Sequence, residues 1–148
     1  MNNYPIWWDT TITIYNKFED TQTHVVRWYR TKVDGAFWKY TGDKISVGKT
    51  ILETNNTICR IRKDSRFLPK HEWITKPNDE MNNFFTLGIG DIIVKGEVDD
   101  EIDEYASGHR ATDIEKKYKN LQGCIRIEET ADNTGIGRCN EHYYVKGI

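Results

Sequence analysis

The densest group of side chains that could carry chemistry lies between residues 97 and 104. Six of these positions hold carboxylates, namely Glu97, Asp99, Asp100, Glu101, Asp103 and Glu104. Clustered carboxylates can hold a divalent cation or exchange protons with a substrate. The run lacks the D-x-[DN]-x-[DN]-G spacing of an EF-hand loop, so a solvated loop is favoured over a metal site.

The other reactive residue types do not fall into known catalytic motifs. The histidines form no H-x-x-x-H or H-E-x-x-H pattern, and no serine lies in G-x-S-x-G. The pair Gly88 and Gly90 is too short to cradle a dinucleotide, and no phosphate-binding P-loop occurs. We therefore expect no enzymatic activity, no cofactor and no metal, with a carboxylate site assembled from distant residues as the enzymatic alternative.

The cysteines and the hydropathy pattern indicate the cellular compartment in which the protein is expected. Cys59, Cys124 and Cys139 are odd in number and form no C-x-x-C pair, which predicts reduced thiols in a cytosolic product. Residues 1–10 lack the basic and apolar segments of a signal peptide. Because no run of about 18 apolar residues occurs, we expect no contact with a membrane.

A basic stretch offers a different kind of site. Arg60, Arg62 and Lys63 stand in line, with Phe67 and Trp73 further along the chain. Cations interleaved with aromatic rings can bind phosphates and stack on bases. A nucleic-acid contact at Arg60, Arg62 and Lys63 is one reading, and a solvated edge strand is the other.

The N-terminal residues 1–9 are rich in aromatic side chains. Trp7 and Trp8 follow Tyr4, Pro5 and Ile6, and this segment is too apolar to be a free tail in water. It either packs back on its own domain or anchors as an arm on another chain. Trp7 and Trp8 are therefore candidate contact residues.

Charge is distributed unevenly along the chain. Residues 1–74 carry 12 Lys and Arg against 8 Asp and Glu, whereas residues 75–148 carry 9 against 15. Opposite charge on two faces of a domain would suit head-to-tail contacts between copies, and two mixed surfaces are the alternative.

The elements that position these residues are mainly strands. Alternating apolar residues predict a hairpin from 10–18 and 23–33, a tight turn at Asp34 and Gly35, and an aromatic strand at 36–40. A second hairpin is expected over 45–52 and 57–62, which makes five strands before residue 63. Residues 63–83 contain two prolines and many charges, and we expect a long irregular excursion with a helical turn.

One short helix is expected at residues 111–121. Thr112 and Glu115 have the spacing of a capping box, and Gly123 suits the position beyond the helix. Three residues recur on one helical face: Ile114, Tyr118 and Leu121. Because no β-α-β repeat occurs, the predicted fold is mainly β, a single domain over 1–148 built as a small antiparallel β-barrel or sandwich.

The second half of the chain resembles a known family. The residues concerned are 90–98 (GDIIVKGEV), the helix near 113–121, the strand at 125–127, the turn at 132–133 and the segment 142–145 (HYYV). They resemble minor capsid or head-tail connector proteins of tailed phages of Gram-positive bacteria. This family often has Trp after the histidine, where this chain has Tyr143.

The resemblance implies a structural virion protein of the phage neck, made in the host bacterial cytoplasm. Its partners would be further copies in a homo-oligomeric ring, a portal or adaptor protein, a tail terminator or tail-tube protein, and double-stranded DNA in the channel. Stopper, adaptor and tail terminator remain alternatives within this class, and a nucleic-acid-binding β-barrel is the alternative outside it. In a ring, the carboxylates Asp99, Asp100, Glu101 and Asp103 would face the channel or the next subunit, where negative charge lets DNA slide.

Overall fold

The computed structural model describes residues 4–48, 50–119, 121–135 and 141–148, and for 41–47 and 50–55 the backbone alone. Its strands are β1 (Thr10–Glu19), β2 (Val26–Val47), β3 (Thr50–Arg62), β4 (Ile92–Lys95), β5 (Cys124–Asn133) and β6 (His142–Gly147). Its helices are α1 (Lys70–Trp73) and α2 (Ala111–Lys119), with a 3-10 turn at Met81–Asn83.

The strands close into an antiparallel barrel in the order β1-β2-β3-β6-β5-β4, and β4 pairs back to β1. The prediction of a mainly β fold is confirmed, and the architecture is a barrel rather than a sandwich. Its interior is filled by alternate residues of the strands, including Ile12, Ile14, Ile61, Ile93 and Val145, which are all buried.

Strand β2 runs through the position where a tight turn is expected, so that prediction is wrong. Asp34 and Gly35 lie inside β2, and the pairing with β1 shifts between Thr10 and Ile12. Gly35 has a φ of +72°, a left-handed conformation that suits a β-bulge as well as a turn. The bulge lets β2 leave β1 and continue along β3.

The prediction of five strands before residue 63 is also wrong, because three long strands cover this region. The β2–β3 ladder continues past the barrel from the pair Thr41–Asn56 to the pair Val47–Thr50. We call residues 41–47 and 50–56 the ribbon. In the described part of the chain no third strand pairs with the ribbon, since β6 meets β3 only from Thr57 onward.

One end of the barrel is plugged by the excursion, which contains the expected helical turn. Phe67 and Phe85 form a single parallel bridge and, with Leu87, pack into the barrel interior. Around Phe84 the chain forms only this bridge, and the next strand, β4, begins after the glycine bend. Trp73 and Met81 are fully buried in a smaller cluster beside this plug.

Buried polar side chains hold the plug on β1. The Asn16 amide donates to the Thr86 carbonyl at 2.6 Å and to the Asp91 carboxylate at 2.9 Å. The same carboxylate accepts the backbone N–H groups of Lys17 at 3.0 Å and Gly88 at 2.9 Å. Burial nevertheless raises the pKa of Asp91. These bonds fix the glycine bend that leads into β4.

Helix α2 covers the outer wall of β4 and β5. Ala111, Ile114 and Tyr118 pack there against the outward side chains of the barrel. The predicted capping box is wrong, because α2 begins before Thr112. The Arg110 N–H is bonded by the carboxylate of Asp113 at 3.2 Å, and the Ala111 N–H by that of Glu104 at 3.2 Å. Glu115, which was expected to cap the helix, instead forms an ion pair with Arg126 on β5.

The helix ends at Lys119, and the prediction that Leu121 continues its apolar face is wrong. Leu121 lies beyond the last turn and is 71% exposed. Gly123 follows the helix as expected, with a φ of +107° and its N–H bonded to the Tyr118 carbonyl at 2.9 Å. The turn expected at 132–133 is the end of β5, and the connection that follows lies partly outside the described residues, as does Cys139.

Candidate functional site

The N-terminal segment folds back onto the outer wall of the barrel. The Trp8 N–H donates to the Pro5 carbonyl at 3.0 Å, which closes a turn. The Trp8 ring is buried, and its centroid lies 5.4 Å from Tyr4, 6.0 Å from Phe37 and 5.6 Å from His142. Aromatic pairs in this range attract each other beyond the area they bury, so the turn is held by packing.

Arg62 pins the same turn to the barrel. Its Nη2 donates to the Trp8 carbonyl at 2.7 Å, and its Nε donates to the Gly35 carbonyl at 2.8 Å. Its guanidinium also lies 5.0 Å from the centroid of the Tyr4 ring. One side chain therefore joins the bulge of β2 to the N-terminal turn.

Two apolar side chains project from this pinned turn. Ile6 is 90% exposed and Trp7 is 65% exposed, and we call this pair the knob. Because Pro5 and Trp8 on either side are fixed, the knob is presented with little freedom left to lose on binding. Rigid, exposed tryptophans of this kind are frequent anchors in protein interfaces.

The three predicted nucleic-acid contacts are all engaged with groups of this chain. Arg62 holds the N-terminal turn on the barrel, and the Arg60 guanidinium lies 5.1 Å from the centroid of Phe37. The Lys63 ammonium forms an ion pair with Glu141 at 3.2 Å. Arg60 and Arg62 share one face of β3 and Lys63 follows the end of that strand, with Arg62 turned to internal bonds.

The acidic run, residues 97–104, crosses the outer wall of the barrel, and we call it the strap. The side chains of Val98 and Ile102 are buried in the cluster beneath α2. Three carboxylates of the run pair with cations of this chain: Glu97 with Lys32 at 3.3 Å, Asp100 with Lys117 at 2.8 Å, and Glu101 with Arg30 at 3.0 Å. Asp99 and Asp103 are exposed, as are the ion-paired Glu97 and Glu101, so the strap presents several carboxylates to solvent.

Asp100 is the best-anchored carboxylate of the strap. It accepts bonds from the Lys117 ammonium at 2.8 Å and the Tyr118 hydroxyl at 2.7 Å. Its backbone carbonyl accepts the Tyr15 hydroxyl at 2.7 Å. The bond from Lys117 is the main reason that the pKa of Asp100 lies below its ordinary value.

The end of the barrel opposite the plug opens into a groove that sequence reasoning missed. Two depressions, of about 760 and 440 Å³, share Lys119, Gln122 and Gly123 and so form one continuous groove. Its apolar walls include Trp38, Tyr40, Leu121 and Ile148. The signal was the aromatic pair at alternate positions of β2, just beyond the residues that pair with β1. We call this feature the mouth groove.

Two thiols lie in apolar surroundings. Cys59 is fully buried inside the barrel and Cys124 lies beneath α2, and burial raises the pKa of each to about 12. Such thiols are poor nucleophiles at neutral pH. Within the described ranges, no group of three or more His, Cys, Asp or Glu side chains is placed to hold a metal ion. No helix there is long and apolar enough to cross a bilayer.

These features define the class of the protein: a small closed antiparallel β-barrel with an apolar knob, a projecting ribbon and an open, apolar mouth. Residues 7–148 match the model of a family of unknown function (DUF6751), and the chain belongs to that family. No curated protein and no solved structure matches the chain.

Proposed function

We propose that this chain is a structural protein of the neck of a tailed phage, where copies form a homo-oligomeric ring between the portal and the tail. The resemblance over residues 90–98, 113–121 and 142–145 supports the choice of particle. The observation that carries the proposal is the ribbon, which extends the β2–β3 ladder by seven residue pairs beyond the barrel.

A ribbon of this kind favours assembly for a physical reason. At about 3.4 Å per residue it projects about 20 Å from the barrel. Isolated two-stranded ribbons are only marginally stable in water, and their outer edges present backbone groups that can pair with another chain. Packing against a neighbouring subunit or a neck partner would supply the missing contacts.

The negative charge of the strap is the second feature that supports the proposal. Asp100 and Glu101 form ion pairs with Lys117 and Arg30, and Asp99 and Asp103 are exposed beside them. In a ring, these two exposed carboxylates would line the channel or meet the next subunit. A negative lining repels the phosphate backbone and lets DNA pass without sticking.

Imaging the purified full chain tests the proposal. Negative-stain electron microscopy, alone and with the portal complex of the same phage, should show rings with a central opening that dock on the portal. A chain that stays monomeric at every concentration and does not bind portal or tail-tube protein would remove the proposal. Rings that bind the tail tube and not the portal would move the chain to the tail-terminator position.

The second candidate is a nucleic-acid-binding barrel that uses Arg60 and Lys63. Arg60 lies beside the ring of Phe37, and Lys63 follows the end of β3, so two cations stand near an aromatic side chain. The internal bonds of Arg62 reduce the charge that this part of the barrel offers. Binding of labelled double-stranded and single-stranded DNA at two salt concentrations separates this candidate from the first.

A further inference from the structure

The two ends of the barrel differ in how they are closed. Phe67, Phe85 and Leu87 fill the plugged end and are packed into the interior. At the other end, Tyr40 is 61% exposed and Leu121 is 71% exposed, although both line the mouth groove. The mouth therefore leaves large apolar side chains in water, which favours an apolar occupant.

The floor of the mouth groove is shaped by a close approach. A Cβ on Gly123 would lie 3.2 Å from the Trp38 ring, so glycine lets the loop after α2 lie flat against that ring. The resulting groove is open, with Trp38 and Tyr40 on one side and Leu121 on the other. Its volume of about 440 Å³ on the Trp38 side is enough for one large aromatic side chain.

The knob is chemically complementary to the mouth groove. Ile6 and Trp7 are the exposed apolar side chains of the turn that is fixed on the outer wall. The acidic Asp9 follows them, whereas Lys95 and Lys119 flank the groove. Apolar surface would meet apolar surface, and one negative charge would meet two positive ones.

We propose that the knob of one copy inserts into the mouth groove of the next copy, with Trp7 against Trp38 and Tyr40. This inference rests on the proposed ring and names the contact that builds it. The wall of one subunit meets the mouth of its neighbour, so the two surfaces are different and the contact is heterologous. Contacts of this type close into rings when the rotation between subunits allows it.

Disulfide trapping between two variants of the full chain tests the contact. One variant is Ile6→Cys, which keeps Trp7, and the other is Leu121→Cys, both in a Cys139→Ser background. The remaining Cys59 and Cys124 are buried and have raised pKa values, so they should not react. The matched control is Ile89→Cys, which is 79% exposed but lies in the bend at the plugged end.

Mixing Ile6→Cys with Leu121→Cys under mild oxidation should give a cross-linked dimer at several times the yield seen with Ile89→Cys. Adding Trp7→Ser to the first variant should weaken association about 30-fold, as for an interface anchor, and remove the cross-link. If the chain assembles but the yield equals that of the control, the contact is wrong and the proposed ring stands. If the chain does not assemble at any concentration, the ring and the contact both fail.

Discussion

Replacing Arg62 by methionine tests whether this side chain holds the N-terminal turn or serves as a cation for a partner. Methionine keeps the apolar stem of the side chain but removes two hydrogen bonds, at 2.7 Å to Trp8 and 2.8 Å to Gly35. Bonds to a charged donor contribute about 1.5–3 kcal/mol each, and these lie near the lower value because Arg62 is half-buried. The stacking on Tyr4 adds about 0.5–1 kcal/mol.

We therefore expect Arg62→Met to lower the free energy of unfolding by about 3.5–4 kcal/mol. The assay is urea unfolding followed by tryptophan fluorescence, at one fixed protein concentration because self-association would add concentration-dependent stability. Arg60→Met is the matched control, since Arg60 stacks on Phe37 at 5.1 Å and its loss should cost no more than about 1 kcal/mol.

A second substitution separates charge from geometry. Lysine at position 62 keeps the positive charge, but its single ammonium cannot reproduce the planar fork that spans the Trp8 and Gly35 carbonyls. We expect Arg62→Lys to lose most of the same stability and to speed hydrogen exchange at the Trp8 N–H. Wild-type stability in Arg62→Met, or full rescue by lysine, would refute the role of Arg62 as a pin.

The remaining predictions concern a close contact, a titration and a ligand. A Cβ on Gly147 would clash with the Arg126 carbonyl, so Gly147→Ala should cost about 1–3 kcal/mol in urea unfolding, whereas Gly135→Ala, which has open space, should be near neutral. Because the pKa of Asp100 is lowered in the fold, its stabilising contribution is present above about pH 4 and is lost as the pH falls through the folded value. Asp100→Asn should therefore unfold less steeply with acid than wild type, and equal acid slopes would contradict the assignment. If the barrel binds DNA through Lys63, Lys63→Gln should weaken a salt-dependent gel shift, and no shift at 50 mM salt would remove this candidate.

The strand content and the antiparallel barrel could be predicted because both depend on local patterns. Residues that alternate in hydropathy along β1, β5 and β6 face alternately inward and outward in the barrel. The error at Asp34 and Gly35 shows the limit of such patterns. A left-handed glycine serves a turn and a bulge equally well, and only the pairing of β2 with both neighbours decides between them.

The start of α2 at Ala111 was predicted, but the groups that cap it were not, for a related reason. The capping box at Thr112 and Glu115 is a local signal, but the helix begins at Ala111, where a carboxylate from the strap bonds the free N–H. Glu115 is drawn instead to Arg126 on a strand that comes later in the chain. Tertiary contacts thus override a capping motif whose spacing is present in the sequence.

The candidate site was predicted only in part. The segment before β1 was recognised as a contact element from its aromatic content, but the sequence does not tell that Trp8 is buried and Trp7 is exposed. That difference arises from the turn closed by Pro5 and pinned by Arg62. The mouth groove depends on where the barrel ends, a property of strand lengths that no local window contains.

Sedimentation velocity of the full chain, compared with its Trp7→Ser variant at the same concentrations, tests the central claim most directly. We expect the wild-type chain to sediment as a closed multiple of 17.4 kDa and the variant to shift towards 17.4 kDa at equal concentration. The control variant Ile89→Ser, which likewise removes an exposed apolar side chain, should sediment as wild type. If wild type and Trp7→Ser assemble to the same mass, the knob contact is wrong, and if both stay monomeric at every concentration, the ring and the contact both fail.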